Sequence, residues 1–249
     1  MATHYTITAD PRGTTGLGDA LYTTDLGLNS YGWDNTTIYI GRTPTNPGEY
    51  YWDRPMMNFS LSIPNVNCRV KSLELKIASG VNWDVKKLTS LYDNTGGSAG
   101  AETVWNAIGN SNTTYASNQS DGAYRDLGAN AVSQLENNWM SSNGFCLGLI
   151  ETDENAAGTV TEESLRVKFY YPPTESEEWV INETYPLGST GKGLGTVTAA
   201  GDVNVQNGGE LILWGNTNLV IPTGKKLIVD YGGKVTIKIG EGAKITKKY

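Results

Sequence analysis

The sequence is poor in the residues that build catalytic and metal sites. It contains one histidine, His4, and two cysteines, Cys68 and Cys146, which lie far apart in the chain. His4 belongs to a terminal segment that we expect to be mobile, so neither a His-based catalytic triad nor a zinc site is predicted. None of the many carboxylates lies in a recognisable acid-base setting. We therefore predict no catalytic residue, no metal ion, no cofactor and no enzymatic activity.

Basic residues and long apolar runs are also scarce. The chain has 19 Lys and Arg against 26 Asp and Glu. The resulting net charge of −7 argues against nucleic-acid binding, which needs a basic face. No apolar stretch approaches transmembrane length, and the N-terminus lacks a basic segment followed by an apolar run. We therefore expect a protein made in a cytoplasm, without membrane insertion or a secretory signal. Whether Cys68 and Cys146 pair is left open, since cytosolic thiols are more often free.

What the sequence does contain is typical of β structure. It has 30 Gly, 14 Tyr and 7 Trp, and only 18% of its residues are charged. Apolar and polar residues alternate over residues 57–63, 73–77 and 165–171, which predicts three strands. The first two strands are expected to be neighbours in one β layer, and Pro172 ends the third. The alternation thus predicts an all-β fold with a first domain of residues 1–173.

One short helix and several irregular segments interrupt the strands. Apolar residues recur at helical spacing within residues 130–140 and form one stripe. Residues 93–100 and 110–122 are polar and glycine-bearing, so loops are predicted there. Residues 174–200 are first acidic and then glycine-rich. We interpret this last segment as a linker, or as an irregular start of the repeats that follow.

Residues 201–249 repeat a motif of eight residues. Each unit contains a turn former, two variable residues, and two apolar residues that flank a variable one. The turn formers are Gly208, Asn216, Gly224, Gly232 and Gly240, and the apolar pairs are Val203/Val205, Leu211/Leu213, Leu219/Ile221, Leu227/Val229, Val235/Ile237 and Ala243/Ile245. Six strand-and-turn units in an unbroken period are typical of rods, spikes and stalks.

Two folds fit this period: a β-meander, and a β-solenoid with two units per coil. Each strand has one apolar face, so six units alone are expected to form a thin core that needs a partner. The preceding domain can supply that partner, as can identical chains, and the second option predicts a homotrimer.

Charge also separates the repeat from the rest of the chain. Residues 201–249 hold 7 Lys and 4 acids, a net charge of +3. Residues 1–200 hold 12 basic and 22 acidic residues, a net charge of −10. This asymmetry either helps subunits to assemble or reflects lysines that guard strand edges.

Aromatic residues are the best candidates for a binding surface. Tyr31 and Trp33 lie in a predicted loop that contains glycine and asparagine, Tyr50 and Trp52 precede a core strand, and Trp83 follows another strand. Sugar rings stack on flat aromatic faces while polar neighbours bind their hydroxyls. These five residues are the candidate glycan contacts, and packing of several of them in the core is the alternative.

An ordered set of segments gives the first domain a family resemblance. The segments span about residues 35–173 and are 39–41, 57–64, 70–77, 131–139, 143–149 and 164–171. This set resembles the DNRLRE-type family of β-sandwich modules, which is related to carbohydrate-binding modules. The resemblance implies a jelly-roll-like antiparallel β-sandwich with one short helix. It also implies an accessory or surface module without catalysis of its own.

The adhesive type of sandwich and the fibre-like repeat together indicate a functional class. We expect a non-enzymatic structural or attachment protein of an assembled particle, such as a fibre, spike or decoration protein of a phage or virus, located in the virion. Its expected partners are identical chains, other particle proteins and a cell-surface glycan. The alternative is a carbohydrate-binding module that a bacterium secretes or displays on its surface. The predicted organisation is a sandwich of residues 1–173, a linker of 174–200 and an assembly or docking repeat of 201–249.

Overall fold

The protein consists mainly of β-strands, as a computed structural model shows, and the predicted all-β class is confirmed. Two compact units divide the chain. The solenoid unit contains residues 1–7, 63–71 and 167–249, and the sheet unit contains residues 8–62 and 72–166. The structure describes residues 1–9, 17–25, 28–34, 39–46, 49–89, 97–142, 144–153, 156–160 and 162–249.

Ten strands form one curled antiparallel sheet. In chain order they are β1 (Tyr5–Ala9), β2 (Leu17–Asp25), β3 (Leu28–Asp34), β4 (Tyr39–Asn46), β5 (Glu49–Ser60), β6 (Arg69–Lys87), β7 (Thr114–Asp126), β8 (Gly144–Glu151), β9 (Ala157–Thr159) and β10 (Glu162–Tyr170). Their order in the sheet is β1-β10-β6-β8-β5-β2-β3, while β4 pairs with β5 and β9, and β7 pairs with β6. The helices α1 (Gly97–Gly109) and α2 (Gly128–Ser142) complete the described elements of this part.

Strand β8 takes a central place in this sheet. The strands predicted from residues 57–63 and 73–77 correspond to β5 and β6, and β8 lies between them in the sheet. The prediction that they are direct neighbours is therefore wrong. Residues 145–149 of β8 are all buried, so both faces of this strand are covered. A short, continuous apolar run is typical of such a central strand.

One helix agrees with the sequence prediction and a second was not predicted. The helix expected at residues 130–140 is confirmed as α2. Helix α1 begins within residues 93–100, where a loop is predicted. The sequence does not reveal the helix there because its first turn consists of small residues. Val104 and Ile108 lie one helical turn apart and are buried, so the signal comes later in the segment. Most of the loop predicted at residues 110–122 belongs to β7, whose backbone pairs with β6 despite its polar sequence.

The repeat folds into a parallel β-solenoid with three strands per coil. The strands are β11 (Trp179–Ile181), β12 (Thr184–Leu187), β13 (Thr196–Thr198), β14 (Val203–Val205), β15 (Glu210–Leu213), β16 (Asn218–Ile221), β17 (Leu227–Val229), β18 (Lys234–Ile237) and β19 (Lys244–Lys247). The three sides are the parallel sheets β11-β14-β17, β12-β15-β18 and β13-β16-β19. A solenoid is thus correct among the two predicted folds, but two units per coil is wrong.

The apolar pairs of the repeat point into the coil and stack in register. Val203 lies opposite Leu227, for example, and Leu211 lies opposite Val235. The inward residues of the middle coil are fully or almost fully buried, and they are Val203, Val205, Leu211, Leu213, Leu219 and Ile221. Full burial of such a side chain contributes about 1.5–3 kcal/mol. The middle coil is therefore buried within one chain, between the first coil and the last coil.

Residues 174–200 carry the first coil of the solenoid, so the linker prediction is wrong and the alternative, an irregular start of the repeats, is correct. Strands β11, β12 and β13 pair with β14, β15 and β16. The inward pairs of this coil are Trp179/Ile181, Tyr185/Leu187 and Val197/Ala199, all of them buried. These pairs are not eight residues apart, because the turns of the first coil have unequal lengths. A search for a fixed period does not detect them.

The last unit of the repeat departs from the eight-residue period. Ile245 lies opposite Leu219, and Lys247 lies opposite Ile221. The inward positions are therefore shifted by two residues from the predicted pair Ala243/Ile245. A 3-10 turn before β19 inserts the extra residues.

Segments of the same unit close the start of the solenoid. Ala2 forms a parallel bridge with Trp179, and the Val180 N–H donates to the Ala2 carbonyl over 3.0 Å. His4 stacks on Tyr185, with ring centroids 5.3 Å apart. The terminal segment that contains His4 is thus packed on the first coil, and the expectation that it is mobile is wrong.

Burial also changes the acidity of His4. Its Nε2 lies 2.9 Å from Oε1 of Glu183, whose second oxygen accepts from Nζ of Lys71. Desolvation lowers the pKa of His4 from its usual 6.5 to about 4, and the positive charges of Lys71 and Lys168 add to this effect. His4 is therefore neutral in the folded protein at neutral pH.

Gly209 tests the close approach of successive coils. A Cβ atom at Gly209 would lie 2.2 Å from the Ile181 carbonyl oxygen, whereas one at Gly240 would meet no atom within 4 Å. We expect Gly209→Ala to lower the free energy of unfolding by about 1–3 kcal/mol, because the backbone must shift. Gly240→Ala is the matched control and should change it little. Chemical denaturation measures both, and equal stabilities would contradict the stacked-coil geometry.

The buried His4 predicts a specific dependence of stability on pH. Between pH 6.5 and about pH 4, the unfolded chain binds a proton at His4 that the folded chain does not bind. The contribution of neutral, buried His4 to the stability of the fold is therefore complete above pH 6.5. This contribution is lost as the pH falls through the window. We expect His4→Gln to weaken the loss of stability on acidification, measured by urea denaturation at both ends of the window. The same loss in wild type and variant would rule out this role of His4.

Candidate functional site

A cleft opens in the sheet unit where β5 changes its partner. Along one edge, β5 pairs with β8 from Met56 to Ser60 and with β4 from Glu49 to Asp53. Strand β8 meanwhile continues beside β6 as far as Glu151. Strands β4 and β8 therefore part near the middle of β5, and this fork in the sheet makes room for the cleft.

The cleft combines indole rings with charged and hydroxyl groups. Trp52 is 37% exposed. The Cζ atom of Arg54 lies 4.0 Å from the centre of the Trp105 ring, and its Nη1 donates to the Trp105 carbonyl oxygen over 3.0 Å. This cation-π contact and hydrogen bond hold the guanidinium on the indole face. The cleft has a volume of about 290 Å³ and is lined by Trp52, Arg54, Trp105, Ile150, Glu151 and Thr152.

Close packing of α1 positions the two central side chains. A Cβ atom at Gly148 would lie 2.4 Å from Ile108, so glycine at this position lets α1 approach β8. A Cβ atom at Gly109 would lie 2.0 Å from Nη1 of Arg54. The absence of both side chains lets Trp105 and Arg54 reach the cleft. The same helix contributes to a buried cluster that contains Met56, Leu88, Val104, Trp105, Ile108 and Cys146.

This arrangement suits a neutral, ring-shaped polar ligand. The indole of Trp52 is partly exposed, and the polar residues Glu151 and Thr152 line the same space. Sugars are bound by this combination of ring stacking and hydrogen bonds. The volume is close to the lower limit of about 300 Å³ for small-molecule pockets, so the end of a glycan fits better than a long chain.

The five predicted glycan contacts have different outcomes. Trp52 lines the cleft. Trp83 is only 1% exposed because the alternation of β6 places it on a buried face, and its prediction as a glycan contact is corrected. Tyr31 and Trp33 belong to strand β3, so the loop predicted there is wrong, and Tyr50 belongs to β5. The side chains of these three residues lie outside what the structure describes.

The sequence prediction does not include Arg54, Trp105 or Glu151. Arg54 follows Trp52 by two residues, so the strand period places both side chains on one face. The sequence alone could therefore have indicated Arg54. Trp105 lies on the helix that the sequence did not reveal. Glu151 approaches them only through the order of strands in the sheet. Strand order and helix packing, rather than local sequence, therefore define the cleft.

A larger groove of about 620 Å³ lies in the solenoid unit, where structural hydrogen bonds engage its polar groups. One oxygen of Glu241 accepts from the Gly191 N–H over 3.2 Å and from the Gly215 N–H over 3.0 Å. The side-chain amides of Asn65 and Asn67 donate to backbone carbonyls of the first coil. These bonds join successive coils at one corner, and the smaller cleft is therefore the better candidate site.

The cysteines do not contribute reactive chemistry to either cavity. Cys68 and Cys146 are both buried thiols, which answers the question of pairing that the sequence leaves open. Burial raises the pKa of the Cys68 thiol to about 12. A thiol with such a pKa is a poor nucleophile at neutral pH.

Within the described ranges, no group of three or more His, Cys, Asp or Glu side chains can hold a metal ion. No helix in the part of the chain that the structure covers is long and apolar enough to cross a membrane. No protein-family model and no curated protein matches the sequence. The resemblance to the DNRLRE-type family thus stays a prediction.

Gly109→Ala tests the position of Arg54 in the cleft. The added methyl group occupies the place of the guanidinium, which must leave the Trp105 ring. An arginine side chain is flexible, so we expect the free energy of unfolding to change by less than about 1 kcal/mol. The NMR resonances of the Arg54 side chain should lose the ring-current shift that the indole causes. Gly80→Ala is the control, since its Cβ would meet nothing within 4 Å, and equal spectra for both variants would contradict the contact.

Proposed function

We propose that this chain is a non-enzymatic attachment protein of an assembled particle, such as a fibre, spike or decoration protein of a phage or virus. The observation that carries the proposal is the three-coil solenoid, joined in one chain to a unit with an open aromatic cleft. A solenoid of parallel strands is suited to a stem, because each coil stacks on the next and leaves few loops for catalysis. In this proposal the sheet unit makes contact with a surface and the solenoid holds it in place.

The alternative function is a carbohydrate-binding module of a bacterial surface or secreted protein. The cleft favours it, since a partly exposed indole, Trp52, beside polar groups is suited to sugars. The resemblance to DNRLRE-type modules is in keeping with both functions. A cell-surface glycan is also the target that an attachment protein of a particle would bind. The two proposals differ in where the protein acts and share the same cleft.

Self-association as a homotrimer remains part of the proposal for a fibre. The trimer proposal does not depend on a core shared between chains, because the inward residues of the middle coil are already buried within one chain. Any trimer would therefore form by lateral contacts between complete solenoids rather than by exchange of strands.

Trp52→Ala tests whether the cleft contacts a glycan. We expect binding on a glycan array to weaken by about tenfold or more, because a stacking surface worth about 1.4 kcal/mol is removed. Tyr231→Ala is the matched control, since Tyr231 is fully exposed in the solenoid unit and lies outside the cleft. Equal loss in both variants, or no loss in Trp52→Ala, would rule out a glycan role for the cleft.

Location in a particle tests the function itself. We expect antibody labelling and electron microscopy of native particles to place the chain on a projection or on the outer shell. The same antibody on the surface of bacterial cells, with particles unlabelled, would favour the carbohydrate-binding module instead.

A further inference from the structure

The last coil of the solenoid exposes part of its apolar rung in the region that the structure describes. Val229 is 47% exposed, whereas Val205, which lies opposite it on the preceding coil, is completely buried. The inward residues Leu227, Val235 and Ile237 are also only partly buried, although each has a fully buried counterpart one coil earlier. Among the described strands, β17, β18 and β19 are the outermost strands of their parallel sheets, so each has one edge that pairs with no other described strand. Solenoids normally cover such an end with a polar cap.

The two ends of the solenoid therefore differ. At the start, Trp179, Ile181 and Tyr185 are almost fully buried under segments of the same unit. The Val180 N–H is bonded to the Ala2 carbonyl, and Trp179 pairs with the same residue. The start thus cannot accept another coil in the way that the end can.

Charge defines what can cover the open end. Residues 222–249 hold seven Lys and two acids, whereas residues 201–221 hold two acids and neither Lys nor Arg. One ion pair between these coils uses this difference, since Nζ of Lys234 lies 2.8 Å from Oε1 of Glu210. The Asp202 carboxylate also joins the coils, accepting from the backbone N–H of Lys226 over 2.8 Å. The acidic middle coil shows which chemistry fits against the basic last coil.

A second copy of this chain is a poor candidate for the open end. Stacking of its end on the start of another copy is blocked by the closed start. Two open ends would bring lysine-rich surfaces together and repel each other. The complementary surface has aliphatic residues at alternate positions, open backbone groups of a β-strand and carboxylates that face the lysines.

We propose that the open end of the solenoid docks an acidic β-coil or β-strand edge of a different polypeptide, which adds the next rung. The apolar side chains of this rung cover Val229, Val235 and Ile237, and its carboxylates meet the lysines of the last coil. This deepens the proposed function, on which it rests, by naming the surface through which the attachment protein joins its particle. The added strand edge is the same mode of recognition that other exposed sheets use.

The full chain can be tested with a tethered probe of the required chemistry. The probe is a second copy of residues 201–224, linked to the C-terminus by a flexible Gly-Ser segment that keeps its effective concentration high. If the end accepts an acidic coil, hydrogen exchange of the amides in β17, β18 and β19 should slow by about tenfold or more. The matched control carries Asp202→Lys and Glu210→Lys in the added copy alone, and it should give little protection.

A charge exchange and a mass measurement complete the test. Lys226→Glu with Lys244→Glu in the last coil should reduce protection by the acidic probe and increase it with the lysine probe. No protection by the acidic probe, or equal protection by both probes, would overturn the proposal. So would light scattering that shows an oligomer which the Lys226→Glu, Lys244→Glu variant dissolves, because the occupant would then be a second copy. These outcomes concern the open end alone, whereas antibody labelling of particles tests the proposed function separately.

Discussion

The stacking of inward apolar pairs from coil to coil is the interaction on which the solenoid unit depends. A parallel coil buries a side chain only when another rung lies above it and another below it. Val203 and Leu211 have both neighbours and are completely buried. Their register also fixes the turns, since Gly209 passes so close to the preceding coil that an added Cβ would lie 2.2 Å from the Ile181 carbonyl oxygen. The glycine turns, the strand register and the burial of the apolar pairs therefore all follow from the stacking of one coil on the next.

The two ends of this stack satisfy the constraint differently. At the start, residues from distant parts of the chain provide the missing neighbour. This packing buries His4, whose pKa falls to about 4. At the end, the lysine-rich last coil leaves its aliphatic residues partly exposed. This difference gives the solenoid a direction, as its proposed role as a stem held at one end requires. The cleft of the sheet unit, in turn, gives the proposed attachment protein a surface for contact.

The sequence predicted those features that follow from local periodicity. The inward pairs of the middle coil, such as Leu211/Leu213, and the helix α2 are examples, because their side chains must recur at the period of the element. The first coil was missed because its turns have unequal lengths, and the last pair was misplaced because the 3-10 turn shifts Ile245 and Lys247. Three sides per coil could not be derived, since the eight-residue period sets the strand spacing and not the closure of the coil.

The candidate site was less predictable than the fold for a related reason. Trp52 could be selected as an aromatic residue near a strand, but its neighbours depend on which strands pair. Trp83 shows the opposite error, because an aromatic residue selected in the same way is buried by the alternation of β6. Arg54 and Trp105 meet through a helix that approaches the sheet at Gly148. Such contacts follow from tertiary packing, which a single sequence does not contain.

Hydrogen exchange resolved by residue tests the central claim most directly. If each rung depends on its two neighbours, amides of β14, β15 and β16 should exchange most slowly, and those of β17, β18 and β19 should exchange fastest within the solenoid. The amides of the covered strands β11 and β12 should exchange at rates closer to those of the middle coil than to those of the last coil. Uniform protection of all three coils, or a last coil that is the most protected, would contradict the account.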